Sequence, residues 1–406
     1  MNTERQTQRA FLWTRILGVP FWGLVNLLPI ILYKDLHVSP LMITLIIALK
    51  PMSALLAPYW SQAIYRRPDL VISNLSWANV LRYLPFLFIP WIDSPWAVTA
   101  AFGLYMTLTR GVIPGWMETI KCNLPSAARE RLVAYGSTID YCGTALLPFI
   151  LGGVLDGYEH SWRWLFPLTA ALGLLSTLLF LRMPKPVVTQ AISQDPPTSF
   201  SSFLLKPWKE SWHLIREKAG FAHFQIGFML SGAGIMLMQP ILPMFFVDTL
   251  NLSYTKMLLA VTACKAIGFL VTSPFWIKLF RRLDIYYFSG IVTAGAALFP
   301  FLLLGSQYHI VLLYAAYGLY GMMQAGSELG WHMSGPRFAE EHDSTVYSGT
   351  NVLMVGIRGC IAPPLGALIY SWTNSATVMM LCVVLCLLAT RQLLGASATA
   401  KAIRAH

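Results

Sequence analysis

Several ionisable side chains interrupt long apolar stretches: the bases Arg15, Lys50, Arg82, Arg110, Lys265 and Arg358, and the acids Glu118, Asp140 and Glu328. A charge at the centre of a membrane helix costs about 2.5–3.5 kcal/mol on insertion scales, so chemistry is expected where such charges persist. The surplus of bases over acids suits an anionic ligand, and a carboxylate beside a guanidinium suits proton exchange. Depth sorts the candidates. At a rise of about 1.5 Å per residue, Lys50, Lys265 and Arg358 lie roughly 13–18 Å from the ends of their apolar stretches, near a bilayer midplane. Together with the polar residues Asn26, Gln239 and Asn351 they form the expected substrate-binding set, although a buried amide equally serves to join helices. Arg110 and Asp140 both fall roughly 10–12 Å from the inner face and are expected to pair across neighbouring helices. With Glu328 they form the expected proton-coupling set. Arg82 is expected to serve helix packing, and the aromatics Trp22, Trp116 and Tyr320 are candidates for stacking on a solute.

The elements that must position these groups follow from composition. The 406 residues are 56% apolar and only 12% charged, with a mean hydropathy of +0.58. That is the composition of a membrane protein. Apolar runs of spanning length lie near 11–33, 41–65, 70–91, 96–118, 132–155, 162–182, 221–247, 254–279, 285–304, 310–333, 346–371 and 376–395. They use up the chain and leave no room for a sizeable soluble domain. The first span follows Arg5 and Arg9 as a signal peptide would, but it is long and lacks a small-residue cleavage site, so it is expected to remain. The net charge of +11 is strung between spans instead of gathered into a patch, which excludes a nucleic-acid partner. Of the 29 Lys and Arg, only Lys34, Arg163 and Lys256 fall at outer ends when both termini are placed inside. The positive-inside rule therefore predicts cytoplasmic termini. No G-x-x-x-x-G-K, H-E-x-x-H or G-x-S-x-G occurs, and the six cysteines show no C-x-x-C, so neither an enzyme, a metal site nor a cofactor is expected.

Residues 184–220 break the apolar pattern. Pro184, Pro186, Pro196 and Pro197 among Ser, Thr and Gln read as a linker between residues 1–183 and 221–406. The linker ends with Leu204, Leu205, Trp208, Trp212 and Ile215 at helical spacing beside Lys206, Lys209, Arg216 and Lys218, a pattern expected of an interfacial helix on an anionic inner leaflet. The two flanking segments repeat each other. Pro29, Leu36 and Ser39 recur 214 positions later as Pro243, Leu250 and Ser253. Pro58, Trp60 and Arg66-Arg67 recur as Pro274, Trp276 and Arg281-Arg282, and Gly143 and Pro148 as Gly359 and Pro364. Six spans per copy is an even number, so the copies are parallel repeats about an axis along the membrane normal.

With those motifs in view, the chain resembles the major facilitator superfamily over essentially its full length. The turn from Pro58 to Arg67 is similar to that superfamily's arginine-rich loop motif, and the turn after span 8 to its second copy. No acid precedes the basic pair here, and Asp69 follows it instead. Arg110 with Gly115 resembles the fourth-helix arginine motif, and Gly143 through Pro148 to Gly152-Gly153 resembles the antiporter motif with one extra residue. The resemblance implies an all-α integral membrane fold of twelve transmembrane helices in two six-helix repeats. It also implies that Arg66, Arg67, Arg281, Arg282, Gly143 and Pro148 take part in conformational gating. The basic pairs serve equally as topology anchors and the glycines as close-packing points.

The combined expectation is a secondary transporter, monomeric, in a bacterial inner membrane. It moves a small polar, anionic organic solute by alternating access, coupled to protons or to a counter-solute. A proton-driven exporter of apolar drugs is the rival within transport. A membrane-embedded enzyme or a non-transporting scaffold is the rival of another class, for which Glu340, Glu341, His342 and Asp343 would be the acidic cluster to inspect.

Overall fold

The computed structural model describes residues 2–56, 59–60, 70–181, 183, 200–339 and 345–405. Among these, the principal helices are α1 (Asn2–Leu36), α2 (Pro40–Met52), α3 (Val71–Tyr83), α4 (Pro95–Asn123), α5 (Ser126–Leu147) and α6 (Trp162–Leu175). Then follow α7 (Phe200–Glu217), α8 (Ala219–Met238), α9 (Lys265–Arg282), α10 (Ile285–Gly305), α11 (Ile310–Ala339), α12 (Thr345–Trp372) and α13 (Ser375–Ala405). Helix occupies each of the twelve predicted stretches, because in hydrocarbon a chain must satisfy its own backbone polar groups. Eight helices are long and apolar enough to cross a membrane by length and composition. α2, α3, α4 and α11 lie in the remaining predicted stretches outside that set.

The repeat is visible in backbone geometry. His37 and Asn251, 214 positions apart, both take left-handed φ values, 48° and 49°. Such a residue ends a helix by turning its amides back onto free carbonyls. In both copies the next amide reaches back six positions, Val38 to the Leu32 carbonyl at 3.3 Å and Leu252 to the Phe246 carbonyl at 3.0 Å. A serine then opens the following helix in both: Ser39 Oγ accepts from the Met42 amide and Ser253 Oγ from the Lys256 amide, each at 3.4 Å.

Two compact units emerge, and they do not follow the two sequence copies residue by residue. The first comprises Met1–Val38, Leu56–Pro196 and Ser253–Leu258; the second comprises Ser39–Leu55, Pro197–Leu252 and Leu259–His406. The reason is side-chain packing. Pro51 and Leu55, on and just beyond α2, seat against Gly359 and Gly356 of α12 in the second unit. In the first unit, the Asp156 carboxylate accepts hydrogen bonds from the Tyr254 and Thr255 amides at 2.6 and 2.9 Å, and the Tyr254 hydroxyl donates to Asp35 at 2.7 Å.

The core of the first unit gathers Phe21, Tyr83, Phe86, Tyr105 and Phe166, with ring centroids 4.8–6.0 Å apart. Arg82 lies over Tyr83 and donates to Asn79, whose amide nitrogen in turn reaches the Gly173 carbonyl, Ser176 and Thr177. Arg82 thus packs helices together, as expected. In the second unit α9 and α11 approach backbone to backbone. A Cβ at Gly321 would lie 1.9 Å from the Lys265 carbonyl oxygen, and one at Gly268 would lie 2.1 Å from that of Gly318. Neither backbone can yield as a flexible side chain would, so Gly321→Ala is expected to destabilise this unit by about 1–3 kcal/mol or more. Gly318→Ala, where an added Cβ meets nothing within 4 Å, is the control and should stay within about 0.5 kcal/mol. Thermal unfolding in detergent compares the two; equal midpoints would refute the close crossing.

Candidate functional site

Three of the predicted cations, Lys50, Lys265 and Arg358, come from both sequence copies yet belong to one unit, the second. Lys50 lies in the first copy and Lys265 and Arg358 in the second, and Ser39–Leu55 carries Lys50 into the second unit. Lys50 sits part-buried in the last turn of α2.

Lys265 is the first residue of α9, directly after a wide π turn over Leu259–Cys264. Such turns displace the following side chain from regular helical phase and are frequent at functional sites. The Lys265 ammonium stands 5.1 Å from the centroid of the Tyr320 ring. Tyr320, Gln324 and Glu328 follow one another at four-residue spacing on α11 and therefore share a face. Gln324 donates to the Glu328 carboxylate at 2.8 Å, and that carboxylate acts electrostatically on Lys265, Tyr320 and His332.

Arg358 is 8% exposed, on α12. One of its terminal nitrogens donates to the Phe228 carbonyl at 2.8 Å, and its guanidinium carbon lies 4.8 Å from the centroid of the Phe228 ring. Neither contact neutralises its charge. Its Nε, buried, has no hydrogen-bond partner, and among the described residues Arg358 makes no ion pair. Gly232 on α8 provides the seat, since a Cβ there would fall 1.7 Å from an Arg358 terminal nitrogen. Arg358 and Tyr320 also act on each other electrostatically, so Tyr320 lies within the field of both cations.

The predicted amides divide. Asn351 is taken up by helix joining: its oxygen accepts from Gln225, and its nitrogen donates to Ser334 at 2.7 Å. Asn26, in the first unit, donates to the Trp22 carbonyl of its own helix at 2.8 Å. Gln239 is part-buried where α8 passes into a 3₁₀ turn. Trp116 packs between Phe11 and Phe180 in a hydrophobic core, which accounts for it without a solute.

The expected Arg110–Asp140 pair is not formed. Asp140 accepts instead from Arg15 of α1 at 2.6 Å, and Arg15 also lies 5.0 Å from the centroid of the Phe11 ring. Equal depth placed Arg110 within reach, but α1 is the helix that presents a guanidinium to this face of α5. Arg110 makes no ion pair among the described residues.

Of the gating candidates, Arg281 and Arg282 are exposed in the last turn of α9, where positive charge complements the helix dipole. Gly143 lets Val19 of α1 approach α5, and Pro148 opens a π turn over Pro148–Gly152. Arg66 and Arg67, like Glu340, Glu341, His342 and Asp343, lie outside the described residues. Among those described, no cluster of His, Cys, Asp or Glu could hold a metal ion.

The chain is a polytopic α-helical membrane protein built on an internal repeat. The family model of the Major Facilitator Superfamily matches residues 11–363, and the chain belongs to that superfamily. Among solved structures it is similar to a POT family transporter in complex with 5-aminolevulinic acid, at 13% identity and a TM-score of 0.78, with 98% of this chain and 96% of that one covered. It is also similar to the nucleoside transporter NupG, at 14% identity and a TM-score of 0.75, covering 96% and 99%. A bacterial homologue of the human lysosomal transporter Spinster matches at 13% identity and a TM-score of 0.67, covering 97% and 98%. No curated protein sequence matches. The protein is an integral membrane transporter and not an enzyme.

Proposed function

We propose that the protein is a secondary transporter of a small organic anion, carboxylate-bearing in the first instance, working by alternating access. The observation that carries this reading is Arg358: a buried guanidinium whose described contacts, a carbonyl oxygen and an aromatic ring, leave its charge uncompensated. A buried charge in that state calls for water or an anion to share its cavity. Lys265 supplies the second positive group and Tyr320 a hydroxyl and ring near both. Glu328 is the acid that would compete with a substrate carboxylate for Lys265. Lys50 is the third candidate cation and Gln239 a candidate polar contact. One similar fold is seen with 5-aminolevulinic acid, which is consistent with a solute of this class.

Transport is read as proton-coupled, with Asp140 and its partner Arg15 as the exchanging pair and Glu328 as the second carboxyl. Arg110 is kept in this set as a cation that makes no ion pair among the described residues. The reading is tested by uptake into proteoliposomes of labelled organic anions, neutral solutes and cations, with and without a proton gradient. Selective, gradient-dependent uptake of anions is expected; selective uptake of apolar cations would hand the function to the drug-exporter reading.

We further propose a monomer in a bacterial inner membrane, and infer from the distribution of Lys and Arg that both termini and the 184–220 segment are cytoplasmic. Reporter fusions are expected to report the cytoplasm at the C-terminus and the opposite side after Leu250. A C-terminus on the outer side would overturn the orientation.

A further inference from the structure

α7 presents three different faces. Ser211 is buried and Leu214 and Ile215 are part-buried: Ser211 Oγ accepts a hydrogen bond from Thr350 of α12 at 3.0 Å, and the two aliphatic side chains pack against the core around Phe221 and Phe224. This face fixes the helix to its own unit. A second face carries Leu205, Trp208 and Trp212, which remain 49%, 37% and 57% exposed. At about 100° per residue these three fall within a sector of roughly 60°, with Arg216 and Lys209 roughly 20–40° beyond its edge. Arg216 folds back over the Trp212 ring, 4.9 Å from its centroid. The third face is polar and paired within itself: Lys206 with Glu210 at 3.9 Å and His213 with Glu217 at 3.0 Å. Both acids of the helix thereby lie away from the apolar stripe, Glu210 beside Lys206 and Glu217 beside His213. The cations beside the stripe, Lys209 and Arg216, make no ion pair among the described residues.

We infer that the Leu205–Trp208–Trp212 stripe is a docking surface for anionic phospholipid. Its apolar side chains enter the boundary between headgroups and acyl chains, while Lys209 and Arg216 hold the phosphates. Charge complementarity selects this occupant. A soluble protein partner would meet the aromatic stripe equally well, but it would not require cations on the edge of the stripe and acids only on the far face. Indole rings prefer the headgroup level, and basic side chains near a membrane favour anionic over neutral lipid. The long stems of Lys and Arg let the charge reach the phosphates while the helix lies in the interface. Because the adjacent face of α7 is hydrogen-bonded through Ser211 to Thr350 of α12, the helix that carries Arg358, lipid bound here is joined through that pair to an element of the solute site.

The full-length protein is reconstituted in vesicles of phosphatidylcholine and phosphatidylglycerol in which either lipid is brominated in turn, and tryptophan quenching is recorded. The signal lost between wild type and Trp212→Phe isolates the Trp212 contribution. Brominated phosphatidylglycerol is expected to quench that contribution more strongly than brominated phosphatidylcholine. The difference should vanish in a Lys209→Gln, Arg216→Gln double variant and persist in Lys206→Gln, whose charge is already paired. Equal quenching by the two lipids in the wild type, or an unchanged preference in the double variant, overturns the inference. If the double variant does not fold, salt titration of the wild type decides the matter. The anionic preference should weaken as ionic strength rises, and a salt-independent preference also overturns it.

Discussion

Arg358→Lys is expected to weaken solute binding roughly tenfold to a hundredfold, although the charge is kept. The guanidinium lies over the Phe228 ring and is anchored by one terminal nitrogen on the Phe228 carbonyl, which restricts where its remaining donors can point. Lysine offers a point charge on a flexible stem and cannot grip a carboxylate through two parallel hydrogen bonds. One hydrogen bond to a charged group contributes about 1.5–3 kcal/mol, which converts to roughly that loss in affinity. Gly232→Ala should act in the same direction with Arg358 intact, because the added methyl occupies the space of the terminal nitrogen. Lys265→Gln should weaken binding by removing one positive charge near Tyr320. Equilibrium binding of a labelled carboxylate-bearing solute to the purified variants measures all three. Wild-type affinity in every one of them, at wild-type levels of folded protein, would remove the cationic site and with it the organic-anion reading.

Asp140→Asn is expected to retain solute exchange at equal concentrations on both sides while losing accumulation against a gradient. The carboxylate lies 2.6 Å from Arg15, and both side chains keep more than a quarter of their surface accessible, at 33% and 39%. Burial disfavours the charged carboxylate whereas a guanidinium at contact distance favours it, so making and breaking this contact is a means of binding and releasing a proton. An amide keeps a hydrogen bond to Arg15 but carries no proton. Arg15→Gln should also impair accumulation, by removing the group that discharges the proton. The measurement is solute accumulation in proteoliposomes with an imposed proton gradient, set beside counterflow without one. Undiminished accumulation in Asp140→Asn, together with a loss in Glu328→Gln, would move coupling to the second unit.

What the sequence revealed and what it hid differ in kind. Apolar run length and the distribution of bases are one-dimensional properties, and they located the helical stretches, with ends that differ by as much as ten residues, as at the C-terminal end of α13. The repeat was legible because turn chemistry is local: a proline before the turn and a serine at the next helix start recur at the same offset, as Pro29 and Ser39 and again as Pro243 and Ser253, while the left-handed His37 and Asn251 between them emerged only from the structure. Depth along a helix was legible too, but direction around its axis was not. Equal depth singled out Arg110 as the partner of Asp140, and only the packing of α1 on α5 decides for Arg15. The same blindness applied to Asn351, whose polar atoms serve Gln225 and Ser334. Gly232 carried a faint signal as one of two glycines in Gly232-Ala233-Gly234, yet nothing in the sequence shows that its missing Cβ makes room for a guanidinium from a helix more than a hundred residues away.

The exchange of segments between the two units bears on how the chain can be divided. A cut in the 184–199 region would look like a clean separation of two homologous proteins. Yet the first fragment would then lack Ser253–Leu258, the partner of Asp156 and Asp35, and the second would lack Ser39–Leu55, which carries Lys50 and the packing against Gly356 and Gly359. Each fragment made by such a cut is therefore expected to lack part of its own packing unless the other is supplied with it.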